Sequence, residues 1–493
     1  MRMSLKIFIS SITSIVIALL LIYLNPSSVI TIKIKNIAPD SVKQIIRQTI
    51  FFIPDTKNYI FTIDKKNKEY EMEIRKLSNS ISEQTIMGAI SSKKNITVSK
   101  SSIILDEGLK LSSYKLPLTH YMHNDKAVAY IDQSNESLFI ISGNGHSFSI
   151  KKNSLGNEKI MLVPLLNNLQ EIINDKLFFD TIKYDNKDSN VVSIKDLLVL
   201  EDNLLISFTK ELSSNCYNTS ILKASIEKKE LIFEDFFVPT SCVVASSLTD
   251  VIMSGGRMEP YIKDTILFTI GDYRQWPEAQ NLNSILGKIL ELNIKDSAYK
   301  IFSLGHRNPQ GLMFDKDSMN IFSTEHGPRG GDEINIIKKD KNYGWPLASY
   351  GDMYLDMNYT KEEKISAPMT KSHKNYSAHE INGFEEPLFT ASRYRDDYKK
   401  IFNVGFDQSS GLSEIEKIPS ESAFSALGDI VVTSMQQKNI YFFTLSEDQQ
   451  RVVNGKKIAF PDRVRDITYI QNIDAFALVL EHNPSLAILE IQP

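Results

Sequence analysis

Cysteine, tryptophan and charge of a single sign are all scarce in this chain. Its 493 residues hold two cysteines and two tryptophans, and 56 Lys+Arg stand against 60 Asp+Glu, a formal net charge of −4. Without a block of one sign the chain cannot neutralise a run of phosphates, which excludes a nucleic-acid binder held by charge. A phosphate-binding Gly-x-x-x-x-Gly-Lys loop is missing too, since Gly330-Gly331 has neither the lysine nor the spacing, and this excludes a P-loop nucleotide enzyme. Apolar content of 42% excludes a disordered chain, and a mean hydropathy of −0.19 excludes a protein of many membrane spans. Cys216 and Cys242 lie too far apart for a CxxC redox or zinc motif. They form either one disulfide between neighbouring strands or two separate buried thiols, depending on the compartment.

One long hydrophobic run is present. Arg2 and Lys6 precede an uncharged stretch from Ile7 to Leu24, closed by Asn25-Pro26-Ser27-Ser28. At helical rise it spans about 27 Å, close to the roughly 30 Å of a bilayer's hydrocarbon. It reads as a cleaved signal peptide or a retained anchor, and the lack of a small-x-small cleavage site favours the anchor. The basic flank keeps the N-terminus in the cytoplasm and places the rest outside, on the periplasmic side in a bacterium. Residues 1–28 are thus expected to be a transmembrane segment. After Pro39-Asp40-Ser41, the residues Val42, Ile45, Ile46, Thr49 and Ile50 share one helical face up to Pro54. Residues 29–108 read as a stem or accessory region without a catalytic constellation.

From residue 109 onward the texture is short apolar runs between polar turns, as in Ser137–Ile141, Leu204–Phe208, Thr265–Ile270 and Asn439–Phe443. This pattern predicts an all-β fold. For 109–493 a six-bladed β-propeller, whose radial repetition protects strand edges, is the expected solution. Asp315-x-Asp317 resembles the start of a calcium loop, but Met319 stands at position five and no glycine follows, so a hairpin is expected there.

The informative strings lie between residues 251 and 352. They are Ser254-Gly-Gly-Arg257, Gly271-Asp272, Leu286-Gly-Lys288, Leu304-Gly-His-Arg-Asn-Pro-Gln-Gly-Leu312, Glu325-His-Gly-Pro-Arg-Gly-Gly-Asp-Glu-Ile-Asn335 and Lys341-Asn-Tyr-Gly-Trp-Pro346. As an ordered set they resemble the glucose/sorbosone dehydrogenase family, soluble quinoproteins that bind pyrroloquinoline quinone (PQQ) and calcium on a six-bladed propeller. The resemblance covers about residues 195–470. PQQ carries three carboxylates and an ortho-quinone, so its site calls for arginines and a divalent cation. The resemblance implies cofactor contacts at Arg307, Asn308, Arg463 and Arg465, and metal-holding carbonyls at Gly327 and Pro328. It further implies a structural calcium set of Glu333, Tyr343, Ala348, Tyr350 and Asp352, with Glu385 as a last ligand.

The match breaks at two positions. The family's catalytic histidine falls at Met253, whose thioether cannot act as a base. That histidine's aspartate partner survives as Asp272, and a cofactor-contacting lysine is replaced by Gln436. Among substitutes for the base, His306 reads as a packed strand residue and His326 stands beside the metal carbonyls. Asp272 or Asp332 could serve if burial raised its pKa. Two functions follow. One is a PQQ-dependent aldose-sugar dehydrogenase, possessing or having lost its base. The other is a non-catalytic propeller of the cell envelope that binds a sugar or a protein partner.

Overall fold

A computed structural model describes residues 54–119, 126–173, 182–184, 187–190, 194–214, 216–244, 253–328, 330–352, 378–406 and 409–492. The expected span at 7–24 and the amphipathic helix after Pro39 lie outside these residues. Among the described residues no helix is long and apolar enough to cross a membrane. By internal contact the chain divides into residues 1–74 and 75–493. In the first unit, residues 54–74 are the leading part of helix α1 (Pro54–Ser92). The second unit holds the rest of α1 and every described strand.

Most of the described strands fall into six antiparallel meanders. Their first strands are Ala129–Gln133 (β1), Ile194–Leu200 (β2), Gly255–Pro260 (β3), Pro309–Asp315 (β4), Leu412–Lys417 (β5) and Val464–Ile470 (β6), each followed by paired neighbours in chain order. These six strands touch in sequence, and β6 touches β1, so they close a ring around a central channel. The fold is all-β and propeller-like. Closure uses the N-terminal side of the chain. Strand Leu109–Lys115 pairs with Ser485–Ile491, with Leu111 opposite Leu489, and completes the sixth unit. The preceding strand Ile96–Ile104, in the stretch expected to be stem, hydrogen-bonds both to Leu109–Lys115 and to Lys159–Leu165 of the first unit. It therefore splices the first and sixth units into one nine-stranded sheet.

Stacking of the sheets explains the packing. Strands such as Thr265–Ile270 and Ala475–Leu480 are buried on both faces because each sheet is sandwiched between two others. The expected hairpin is present: Pro309–Asp315 and Asn320–Glu325 pair antiparallel, and Asp315 Oδ1 accepts from the Asp317 amide at 3.2 Å.

Facing the channel, carboxylates stitch each unit to the next. Asp132 of β1 accepts from Val199 N at 2.6 Å, Asp196 of β2 from Met258 N at 2.7 Å, and Glu259 of β3 from Phe314 N at 3.2 Å. Glu414 of β5 accepts from Leu312 N at 3.0 Å, and Asp466 of β6 from Ile131 N at 2.8 Å. At the hub sits Arg257, whose Nη1 lies 2.9 Å from Asp196, 2.7 Å from Glu414 and 2.8 Å from Asp466. Inner strands of neighbouring units share no ladder hydrogen bonds, so side chains supply the polar links that the backbone cannot.

Candidate functional site

The motif strings converge at the N-terminal ends of β3 to β6. Met253 and Ser254 precede β3, Arg307 and Asn308 precede β4, Ser410 and Gly411 precede β5, and Asp462 and Arg463 lead into β6. Gly271 permits the closest approach, since a Cβ there would lie 2.2 Å from the Met253 carbonyl oxygen. That contact brings Met253 beside Asp272.

Arg307 is buried and central. Its Nη1 donates to the carbonyls of His326 at 2.8 Å and Gly327 at 2.9 Å, and its Nη2 lies 3.7 Å from Met253 Sδ. The guanidinium also sits over the Trp345 ring, 5.3 Å from its centre. Asn308 Oδ1 accepts from Gly255 N at 3.1 Å, fixing the Gly255-Gly256 turn. Asp272 is fully buried, with Oδ2 accepting from the Trp345 indole N–H at 2.7 Å and Oδ1 from Arg274 N at 2.9 Å. Burial pushes its pKa up to about 6 against the pull of Arg307. The aspartate expected to orient a histidine thus holds an indole instead.

Arg463 and Arg465 do come together, and sequence reasoning missed what joins them. Glu481, with no exposed surface, takes Arg463 Nε at 2.5 Å and Arg465 Nε at 2.7 Å. Burial works against its charge, yet the two arginines hold its pKa down at about 2. Asp462, buried beside this pair, accepts from Arg463 N at 2.7 Å, so two carboxylates stand next to the two guanidiniums. Gln436 is exposed and its backbone N donates to Ser410 O at 3.1 Å, while Gly411 closes against it.

The other candidate bases are occupied. His306 is fully buried between Ser303 Oγ at 2.8 Å and Glu325 Oε2 at 3.1 Å, stacked on Tyr343. Asp332 accepts from Gly327 N at 3.0 Å and Gly411 N at 2.5 Å, tying two loops together, and burial raises its pKa to about 6. His326 differs, because its Nε2 is buried without a partner in the described structure. Burial and then Arg307 push its pKa down to about 3, so the ring is neutral. Arg307 Nε, Ser254 Oγ and Ser410 Oγ are likewise buried and unpartnered. Orphaned polar atoms of this kind, beside the guanidiniums of Arg307, Arg463 and Arg465, suit a polar ligand that carries carboxylates.

The residues expected to hold metal are differently engaged. The Gly327 carbonyl accepts from Arg307, and Tyr350 Oη donates to Glu386 Oε2 at 2.7 Å. Asp352 pairs with Arg393 and Tyr394, and Glu385 pairs with Lys338 at 2.9 Å and Lys341 at 3.3 Å. Tyr343 Oη donates to Ile336 O at 2.6 Å, and Ala348 N to Gly344 O at 2.8 Å. Glu333 is raised to about 8 by burial and then by Glu325. Pro328 is buried against the Gly351 turn. Among the described residues no group of three or more His, Cys, Asp or Glu is placed to hold a metal ion. Of the expected set, Gly327, Glu333, Tyr343 and Ala348 line one small pocket together.

A cavity of about 1270 Å³ lies elsewhere, at the C-terminal ends of the inner strands, lined by Asp132, Glu259, Asp315, Glu416 and Lys417 among others. Beside Arg307, His326 and Trp345 the enclosed space is only about 10 Å³. The chemistry-bearing residues and the large void are therefore at opposite mouths of the channel. Asp132 and Glu259 in this void are among the carboxylates that stitch the units together, which accounts for their placement.

Residues 201–379 match the family model described as Glucose / Sorbosone dehydrogenase. That stretch is similar to the glucose/sorbosone dehydrogenase family. The chain is 30% identical over 254 residues to the aldose sugar dehydrogenase YliI of Escherichia coli, covering 48% of this chain and 60% of that protein. It is 39% identical over 113 residues to the quinoprotein glucose dehydrogenase B of Acinetobacter calcoaceticus, covering 19% and 23% of the two chains. The matched stretches thus span less than two thirds of these relatives. Among solved structures, a glucose dehydrogenase superposes with a TM-score of 0.55 at 20% identity, covering 74% of this chain and 96% of that one. The soluble aldose sugar dehydrogenase of E. coli superposes with a TM-score of 0.53 at 19% identity, with the same coverage. At those identities the superpositions bear on the fold alone.

Proposed function

We propose that this chain is a PQQ-dependent aldose-sugar dehydrogenase-like protein built on a six-bladed propeller, with its cofactor seat at the N-terminal ends of β3 to β6. The observation that carries this reading is Arg307, Arg463 and Arg465 gathered beside the partnerless Nε2 of His326 and Nε of Arg307. PQQ, when bound, supplies an ortho-quinone that accepts hydride from a sugar carbon. Arg307, Arg463 and Arg465 would hold its carboxylates, with Glu481 fixing the latter pair in orientation. Asn308 sets the Gly255-Gly256 turn beneath the seat. Trp345 shields Asp272 and Arg307 from water, and neutral His326 offers a ring nitrogen toward the seat. The relatives named as sugar and quinoprotein dehydrogenases support the substrate class, an aldose.

Met253 favours a second reading, a binding propeller that has lost oxidation, because a thioether at the base position cannot take the hydroxyl proton. Its ligand is then a sugar or an envelope protein. The disulfide between Cys216 and Cys242 supports an extracytoplasmic setting, in keeping with an N-terminal membrane anchor.

The test is reconstitution of the purified chain with PQQ, followed by its absorbance and then by aldoses with an electron-accepting dye. Dye reduction supports the dehydrogenase. Bound but unreduced cofactor leaves the binding reading, and absence of binding overturns the cofactor seat.

A further inference from the structure

Helix α1 has two faces. One packs on the propeller-like body: Asn79, Ser82, Ile86 and Ala89 are buried, and Glu83 holds His146 Nε2 at 2.8 Å. On the opposite side Tyr70, Ile74, Leu77 and Ile81 are 62%, 65%, 61% and 64% exposed. Side chains this large and apolar are not left in water as a continuous row without reason. Their spacing alternates four, three and four residues, which is the a/d pattern of a coiled coil rather than the broader stripe of a helix seated on a globule.

In that register Asn67, Ile74 and Ile81 take a positions, and Tyr70, Leu77 and Gln84 take d positions. Asn67 is exposed. A single asparagine at an a position is costly against an apolar partner and well matched only by another asparagine, so it selects a two-stranded, parallel, in-register pair. The flanking charges agree. Lys66 falls at g and Glu71 at the following e, and in a parallel pair the g side chain of one helix meets the next e side chain of the other. Lys66 of one copy then faces Glu71 of its partner, twice by symmetry. In sequence the same spacing runs back through Ile63 and Ile60.

We propose that helix α1 is a dimerisation element, pairing two copies of this chain in a parallel coiled coil along Asn67, Tyr70, Ile74, Leu77 and Ile81. The face toward the body anchors the helix, and the outward face carries the second copy. A symmetric pair of this kind is isologous, so it closes at two.

The full chain, solubilised in mild detergent, is measured by light scattering coupled to size exclusion. Protein mass of twice 56.0 kDa is expected. Ile74→Glu with Leu77→Glu, both at exposed positions, should give monomer with an unchanged melting temperature. The charge reversal Lys66→Glu should weaken the dimer about tenfold, and adding Glu71→Lys should restore it. Both native cysteines are in the disulfide, so an introduced thiol reports alone: Leu77→Cys should cross-link two chains under mild oxidation, and exposed Lys76→Cys should not. A monomeric wild-type chain overturns the proposal. So does equal cross-linking at 76 and 77, or a stripe that instead drives binding to phosphatidylcholine vesicles without self-association.

Discussion

Replacing Arg257 tests whether the ring is held by its charged hub. The guanidinium meets Asp196, Glu414 and Asp466 within 2.9 Å, and its Nε and Nη2 donate to the carbonyls of Gln310 at 2.7 Å and Arg465 at 3.0 Å. These partners lie on four of the six inner strands or at their edges. Burial works against the arginine's charge, but Glu414, Asp466 and Asp196 hold it protonated well above the ordinary range. Arg257→Met keeps most of the apolar stem, so the cavity term is small. What goes is the counter-charge of three buried carboxylates. Breaking a buried pair from one side costs about 3–5 kcal/mol. The loss does not triple, because the coupled acids relieve themselves by binding protons. With an unfolding entropy on the order of 0.9 kcal/mol/K for a body this large, the melting temperature should fall by about 3–6 °C. Scanning calorimetry at pH 8 and pH 5 should find the larger deficit at pH 8, where the orphaned acids are charged. Arg257→Lys should recover part of the loss, since one ammonium cannot span three carboxylates and two carbonyls. A melting temperature within about 1 °C of wild type at both pH values would refute the hub.

Stability should fall as pH rises from 5 to 8. Burial raises Asp132 to about 7 and Glu416 to about 8, so between roughly pH 4 and 8 the folded chain binds more protons than the unfolded one. Their favourable term is full at acid pH and is lost through that window, and a melting temperature higher at pH 8 than at pH 5 would contradict it. Glu481→Gln should lower stability by about 3 kcal/mol, because Arg463 and Arg465 lose the carboxylate they share. The wild-type side chain has its pKa held at about 2, so its contribution fades only as pH falls below the ordinary glutamate range, and the deficit of the variant should narrow there. Cys216→Ser with Cys242→Ser opens a loop of 26 residues and should cost about 3.5 kcal/mol by chain entropy, read as a lower urea midpoint.

The all-β reading and the convergence of the motif strings were legible because both rest on local signals, strand texture and short strings. Sequence separation hid the rest. Strand Leu109–Lys115 closes the ring against residues some 380 positions away, and nothing in its composition marks it as the sixth unit's outer strand. Glu481 was invisible for the same reason, since an isolated glutamate gives no hint of two arginines waiting for it. The channel carboxylates sit among apolar residues in ordinary strand fashion, with no local signal of the partner each one finds in the next unit. In helix α1 two faces share the apolar residues, so neither dominates a search for one amphipathic stripe, and the stretch read as a featureless stem. Trp345 stood within a quoted string, yet its indole hydrogen bond to Asp272 depends on a fold that brings positions 272 and 345 together.

That indole bears on what restoring the base would do. An imidazole introduced by Met253→His would meet an Asp272 whose two oxygens already accept from Trp345 and Arg274. It would also face Arg307, now 3.7 Å from the thioether, and a neighbouring guanidinium disfavours the protonated ring. The ring would then be neutral at pH 7, as a general base must be, but poorly oriented while Trp345 keeps Oδ2. Met253→His should therefore raise PQQ-dependent aldose oxidation by less than the roughly 10²–10⁴-fold that a positioned base supplies. Adding Trp345→Phe, which frees Oδ2, should raise it further without changing cofactor absorbance. If both variants bind PQQ and neither exceeds wild-type turnover, the thioether at 253 is not what limits oxidation, and the defect must lie in how the sugar is held.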